Sequence, residues 1–247
     1  MADRTMTRLS GRPHRIAAAP AAPRIATMLV DDHTLVREGM RALLEDEADI
    51  EIVGDAKDGR QAVELALRLR PDVIVMDIAM PMLNGIEATR QILAALPTVR
   101  VLILSAHSDE EYVERVIELG AAGFVLKQSS LEALAGAIRM VHAGKTYISP
   151  SVSRRRHRRA SLTTRARIAT AVPGRVHLSS RETEVLQLVA EGKANKQTAS
   201  ELGISIKTVE KHRQSLMTKL DIHDVAGLTR YAIEIGAIEG RDRRVAN

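Results

Sequence analysis

Short apolar runs alternate with amphipathic stretches from Ile25 onward. The runs cover residues 25–30, 50–53, 73–76, 101–104 and 124–126. The stretches between and after them, 35–44, 61–69, 86–96, 110–119 and 131–142, repeat apolar residues at i, i+3 and i+4. Val73, Ile74, Val75 and Met76 are apolar in succession, as a parallel strand covered on both faces requires. Five strand-helix pairs of this kind predict a doubly wound α/β domain, a flavodoxin-like five-stranded parallel sheet in the order 2-1-3-4-5. Four more helical patterns, over 181–192, 196–202, 206–220 and 225–238, predict a second, all-α domain.

Charge divides the chain the same way. Residues 1–24 carry five Arg against one Asp, and residues 25–143 carry 11 basic and 20 acidic side chains. Residues 144–177 carry nine basic and no acidic ones, and residues 179–247 carry 11 and 10. The expected organisation is a basic disordered arm over 1–24 and an acidic domain over 25–143. A basic linker over 144–177, a helical domain over 178–240 and a tail over 241–247 complete it. A start codon assigned too far upstream, with Met28 or a neighbour as the natural beginning, explains the arm equally well. At 247 residues one compact domain is also open.

The chain has no cysteine, no signal-peptide core and no apolar run of membrane-spanning length, so a cytoplasmic location with no membrane partner is expected. Aromatic residues are only 2%, which argues against a stacking platform for single strands and an aromatic pocket for a hydrophobic signal.

The chemistry gathers at strand ends. Asp31 and Asp32 follow the first strand and Asp77 follows the third, and in the 2-1-3 order those ends are neighbours at the topological switch point. Two carboxylates about 4 Å apart repel by roughly 4 kcal/mol at an effective dielectric near 20, so three of them demand a cation. Oxygen donors without Cys or His favour Mg²⁺. Ser105 and Lys127 end the fourth and fifth strands, where a hydroxyl and an ammonium can reach phosphoryl oxygens on Asp77. A carboxylate attacking phosphorus forms an acyl phosphate.

Asp31-Asp32, the run from Val73 to Asp77 with Met80-Pro81 and Asn84-Gly85, Ser105-Ala106, and Phe124 with Lys127 together resemble a two-component response-regulator receiver. The resemblance implies that Asp77 accepts a phosphoryl group from a sensor histidine kinase. It further implies that Asp31, Asp32, Asp77 and the Ala79 backbone carbonyl hold Mg²⁺ and that Lys127 binds the phosphoryl group. Ser105 and Phe124 would act as coupled switch residues, Ser105 drawn inward and Phe124 following. Many receivers have Pro after this Lys; here Gln128 stands there. Phosphatases that form aspartyl phosphates usually need a second Asp two residues on, and Ala79 occupies that place. Slow self-dephosphorylation is therefore the only hydrolysis expected, and the chain is not read as an enzyme.

In the second domain Gly203 suits a tight turn and Ser205 is a natural N-cap, so 195–220 reads as a helix-turn-helix. Ile206, Val209, Leu216 and Leu220 form an apolar stripe on its second helix, with polar and basic residues on the other faces. Leu178-Ser179-Ser180-Arg181-Glu182, Glu184-Val185-Leu186, Ala190-Glu191-Gly192, Asn195-Lys196, Ser205 with Lys207-Thr208-Val209, His212 and Lys219-Leu220 resemble the NarL/LuxR (FixJ-like) output domain. The resemblance implies that Glu210, Lys211 and Gln214 face the DNA major groove, with Lys207, Thr208 and Lys219 placed for phosphates and Lys196 alongside. Many relatives carry Lys where this chain has Glu210, so their operator does not transfer.

Homodimers on an inverted-repeat operator are expected, and RNA polymerase is a partner the resemblance admits. Val225, Leu228, Ala232 and Ile235 line one side of the last helix, as core or as a dimer contact. Arg154 to Arg159 read as a tether, as contacts to phosphate, or as a patch resting on the acidic domain. A lactone-sensing regulator with the same output domain would need aromatics that are missing here.

Overall fold

The computed structural model describes residues 23–106, 110–153 and 178–238. Arg154 to Arg159, the expected tail and all but the last two residues of the expected arm lie outside these.

The first domain alternates strand and helix: β1 (Ile25–Val30), α1 (Thr34–Leu44), β2 (Ile50–Ala56), α2 (Gly59–Leu69), β3 (Val73–Asp77) and α3 (Gly85–Ala95). It continues with β4 (Arg100–Ser105), α4 (Glu110–Glu118), β5 (Gly123–Leu126), α5 (Leu131–His142) and a short β6 (Tyr147–Ile148). All the strands pair in parallel, in the order β2-β1-β3-β4-β5-β6. β3 is buried along its whole length, because α2, α3 and α4 cover one face through Ala62, Ala66, Ile92 and Val116. α1 and α5 cover the other through Met40, Leu44, Leu134 and Ile138. This is the doubly wound sheet expected, with the chemistry-bearing strand ends at its carboxyl edge.

The sheet has six strands, not five. Residues expected to begin the linker at 144 instead extend the domain. Tyr147 and Ile148 pair with Gly123 and Phe124, and Ser149 donates its backbone N–H to the Phe124 carbonyl. The Ser149 hydroxyl accepts from the Leu126 N–H, and Val152 is buried among the side chains around Phe124. Two strand residues have no readable period, and the neighbouring Ser and Gly suggested a tether; tertiary contact decided otherwise.

The second domain holds α6 (Ser180–Ala190), α7 (Asn195–Leu202), α8 (Ile206–Leu220) and α9 (Val225–Glu234). Val185, Leu186, Val189, Leu202, Leu216, Leu228 and Ala232 form its core. Ser179 caps α6 in a reciprocal capping box with Glu182. Gly203 ends α7 at φ +62°, and the Ser205 side chain accepts from the Thr208 N–H, so both turn residues act as the sequence predicts. Ile206 departs from its expected burial and is 44% exposed. On α9 the expected stripe splits. Leu228 and Ala232 are core, Ile235 is half-buried and Val225 is exposed.

Candidate phosphoacceptor site and DNA interface

The sheet brings Asp31, Asp32 and Asp77 together at one edge. One oxygen from each, with a nitrogen of His33, lies within 4.8 Å of the others. Asp31 and Asp77 are 0% and 3% exposed, while Asp32 is half-buried at the rim. Lys127 reaches in from the end of β5, and its Nζ sits 2.9 Å from Asp31 Oδ2 and 2.9 Å from Asp77 Oδ2. The Lys127 N–H donates to the Ser105 carbonyl, and Ser105 lies one residue past Leu104, the partner of Asp77 in the β3-β4 register. The structure thus gathers Asp31, Asp32, Asp77, Ser105 and Lys127 at adjoining strand ends. Ala79 is half-buried two residues past Asp77, and Phe124 is fully enclosed on β5, three residues before Lys127.

Electrostatics explain the Lys127 pose. Burial drives the Asp77 carboxyl up to about 7, the Lys127 ammonium pulls it back, and the Asp31 charge pushes it up again. Lys127 is itself desolvated, yet the two carboxylates hold its pKa above the usual lysine value. The Asp77 Oδ1 accepts from the Ile78 N–H at 2.9 Å and the Asp31 Oδ1 from the His33 N–H at 2.8 Å.

His33 joins the expected carboxylates at the mouth of the pocket. Its Nδ1 lies 2.8 Å from Asp32 Oδ1 and 3.3 Å from Asp31 Oδ1, on an exposed ring at the mouth. The signal was the residue directly after Asp32. The donor set of buried carboxylates, already crowded enough to draw in an ammonium, fits a hard divalent cation.

The stretch from Ile78 to Asn84 is held tightly. A Cβ on Gly85 would stand 1.8 Å from the Asp77 carbonyl oxygen, and one on Gly59 2.2 Å from that of Leu83, so both positions require glycine. Met82 adopts φ +68°, the left-handed region. α6 of the second domain lies on the same stretch. Gln187, 1% exposed, donates from Nε2 to the Met80 carbonyl at 2.8 Å, and its Oε1 accepts from the Asn84 N–H at 2.8 Å and Nδ2 at 3.1 Å. Glu191 accepts from the Met82 N–H at 3.2 Å, and burial raises its pKa. Arg60 of α2 donates to the Glu201 carbonyl at 2.6 Å and to Glu184 at 3.2 Å. Sequence reasoning missed these residues: Gln187 stands among the apolar residues of α6, and only docking shows what it faces.

On α8, Lys207, Glu210, Lys211 and Gln214 are all exposed, as is Lys196 on α7. Thr208 is half-buried, its hydroxyl 2.8 Å from that of Ser205. Lys219 stands apart from the other candidates. Its Nζ pairs with Glu182 at 2.7 Å, and the Ser215 hydroxyl donates to the same carboxylate at 2.8 Å. Desolvation opposes these bonds, but together with those from Ser179 they hold Glu182 at about 2. Arg213 donates to Asn195 at 2.6 Å. Lys219 and Arg213 thus tie α8 to α6 and α7.

Residues 27–139 match the response regulator receiver domain family, and residues 176–232 match the bacterial regulatory proteins of the luxR family. The chain is 39% identical over 212 residues to the transcriptional regulatory protein DegU of Brevibacillus brevis, covering 81% of this chain and 89% of that one. It is 40% identical over 213 residues to LiaR of Bacillus subtilis strain 168, covering 84% and 96%. Among solved structures, RcsB of Salmonella typhimurium aligns at 27% identity with TM-score 0.52 over 85% of this chain and 98% of that one. Two RcsB dimers bound to two parallel DNAs align at 27% identity with TM-score 0.53 over 86% and 99%.

Proposed function

Because the chain belongs to the NarL/LuxR-type response regulators, a receiver joined to a luxR-family DNA-binding domain, we propose that Asp77 is its phosphoacceptor and that α8 reads DNA. The protein is a phosphorylation-controlled transcription regulator. The observation that carries the assignment of Asp77 is its burial beside Asp31, with Lys127 Nζ 2.9 Å from both.

An Asp77 oxygen attacks the phosphorus of a sensor-kinase phosphohistidine, the P–N bond breaks, and an acyl phosphate forms while the imidazole leaves with its electron pair. Asp31, Asp32, Asp77 and the Ala79 carbonyl would hold Mg²⁺, which neutralises charge on the entering phosphoryl oxygens. Lys127 exchanges its Asp77 partner for a phosphoryl oxygen, and the Ser105 hydroxyl donates to another. Half-buried Ala79 offers no acid or base to a hydrolytic water, so the acyl phosphate decays slowly and the chain acts on no other substrate.

On the DNA side Glu210, Lys211 and Gln214 meet base edges, Lys207, Thr208 and Lys196 meet phosphates, and Lys219 supports α8 through Glu182. A homodimer on an inverted repeat fits the half-site logic of a single short recognition helix, and RcsB binds DNA as dimers. RNA polymerase is the downstream partner in this reading. In this reading the receiver extends from residue 25 through 153, and the output domain begins at residue 178. No described helix is long and apolar enough to cross a membrane, and the reading places the protein in the cytoplasm.

Selection of binding sites from random duplexes, with wild type and Asp77→Ala, each with and without acetyl phosphate and Mg²⁺, tests both halves. Enrichment of an inverted repeat that acetyl phosphate strengthens only for wild type is the expected result. Equal enrichment for both proteins would remove Asp77 from control, and none at all would remove DNA binding.

A further inference from the structure

Resting on the reading of Asp77 as phosphoacceptor, we propose that Gln187 is a positioning residue through which the output domain restrains the phosphorylation site directly. It does so by clasping the segment 80–84 that follows Asp77.

The clasp spans the segment end to end. The Gln187 Nε2 donates to the Met80 carbonyl and its Oε1 takes both the N–H and the side-chain amide of Asn84, so one side chain fixes two backbone groups four residues apart. Glu191 holds Met82 between them, and the Gln187 Nε2 also donates to Glu191 at 2.8 Å. The far side of the segment has no slack, since Gly59 and Gly85 pack against the carbonyls of Leu83 and Asp77 at distances that exclude a methyl group. Asn84 also caps α3 by accepting from the Glu87 N–H, so a pull on Asn84 is felt at the helix start.

This segment begins with Asp77's own contact. The Ile78 N–H donates to Asp77 Oδ1 while Lys127 holds Oδ2. The docked arrangement therefore belongs to an Asp77 whose two oxygens are already engaged. A phosphoryl group on Asp77 must displace the contacts that Ile78 and Lys127 now make with its oxygens, and any adjustment passed along the backbone from Ile78 meets Met80, which Gln187 pins. The clasp and the acyl phosphate are thus antagonistic, and the coupling is reciprocal: what opposes phosphorylation when docked is what phosphorylation opens.

This route does not need Phe124. That side chain is fully enclosed on β5, with Val152 and Val116 in the same cluster, whereas Gln187 reaches the 80–84 segment directly. Nor does docking hide the reading face, because Lys207, Glu210, Lys211 and Gln214 stay exposed. It engages instead the end of the second domain beyond α9, where Asn84 Nδ2 donates to the Ala237 carbonyl at 3.4 Å and Arg115 donates to that of Ile235.

The test compares the full chain with Gln187→Ala and Gln187→Glu. The Glu variant keeps the acceptor for Asn84 but cannot donate to Met80. The rate of acyl phosphate formation with acetyl phosphate and Mg²⁺ is followed on phosphate-affinity gels, Mg²⁺ affinity by calorimetry, and the radius of gyration by solution scattering. Loss of one or two net hydrogen bonds of about 1 kcal/mol each predicts phosphorylation roughly five- to thirtyfold faster for the Ala variant, with tighter Mg²⁺ binding and a larger radius. The Glu variant should behave like the Ala variant, and helical content should stay unchanged in both. Equal or slower phosphorylation in the variants overturns the clasp while leaving the phosphoacceptor reading intact. No phosphorylation of any of the three proteins overturns both.

Discussion

Replacing Asp77 with Asn should stabilise this protein, although it removes the proposed phosphoacceptor. Asp77 is 3% exposed and its carboxyl is pushed up to about 7 from a reference value of 3.8, mostly by burial. A group whose folded pKa lies above its unfolded value loses stability as pH rises through that interval, because the unfolded chain releases its proton first. The difference corresponds to roughly 4 kcal/mol at pH 8, at about 1.4 kcal/mol per unit. Lys127 offsets part of this, since a neutral amide in place of the carboxylate would leave it paired with Asp31 alone, so a net gain of about 1–3 kcal/mol is expected. At about 3 °C per kcal/mol the receiver's melting temperature should rise by roughly 3–9 °C at pH 8 without divalent cation. At pH 5, where the folded state keeps the proton and the unfolded state has largely released it, the penalty is about 1.7 kcal/mol, so the gain should fall to about two-fifths of its value at pH 8. Millimolar Mg²⁺ should raise the melting temperature of wild type and not of the variant. Calorimetric scans of both proteins at the two pH values, with and without Mg²⁺, read all three effects. A variant that melts at or below wild type at pH 8, or a gain that does not change with pH, would refute the account of Asp77 as a buried charge short of compensation.

The second domain gives the opposite pH dependence. Glu182 is held at about 2, so its contribution is complete above about 4.5 and is lost as pH falls towards 2; Glu182→Gln should cost about 1–2 kcal/mol at pH 7, discounted for the exposure of Lys219, and nothing below pH 2 by urea unfolding. Gly85→Ala places a methyl group against the Asp77 carbonyl oxygen and should cost more than about 2 kcal/mol while abolishing acyl phosphate formation, as read by denaturation and phosphate-affinity gels. Lys211→Ala should weaken binding to the selected operator about tenfold and flatten the salt slope if it meets phosphate, or relax specificity at one base if it meets an edge. Lys219→Ala should instead lower the melting temperature of the second domain by a few degrees, with a salt slope unchanged from wild type.

Much of this molecule was readable along the chain because its signals are local or repeat with a period. β3 and its neighbours are unbroken apolar runs, and burial on both faces is what such runs demand. Asp77 and Ser105 end their strands and Asp31, Asp32 and Lys127 directly follow theirs, and the 2-1-3-4-5 order brings those strand ends together whatever the loops do. Gly203 and Ser205 act through their own backbone, so residue type alone announced the turn and the cap. Tertiary structure decided the rest, where a residue's role depends on what arrives from far away. Tyr147 and Ile148 became a strand only because β5 offered an open edge. Lys219 pairs with Glu182, 37 residues earlier, across the bundle, a contact that no local pattern announced. Ile206 kept the period of a core position but is 44% exposed, which its spacing alone does not reveal. Gln187 carries no motif, and its partners Met80 and Asn84 stand more than a hundred positions away, so nothing in its own neighbourhood could reveal them.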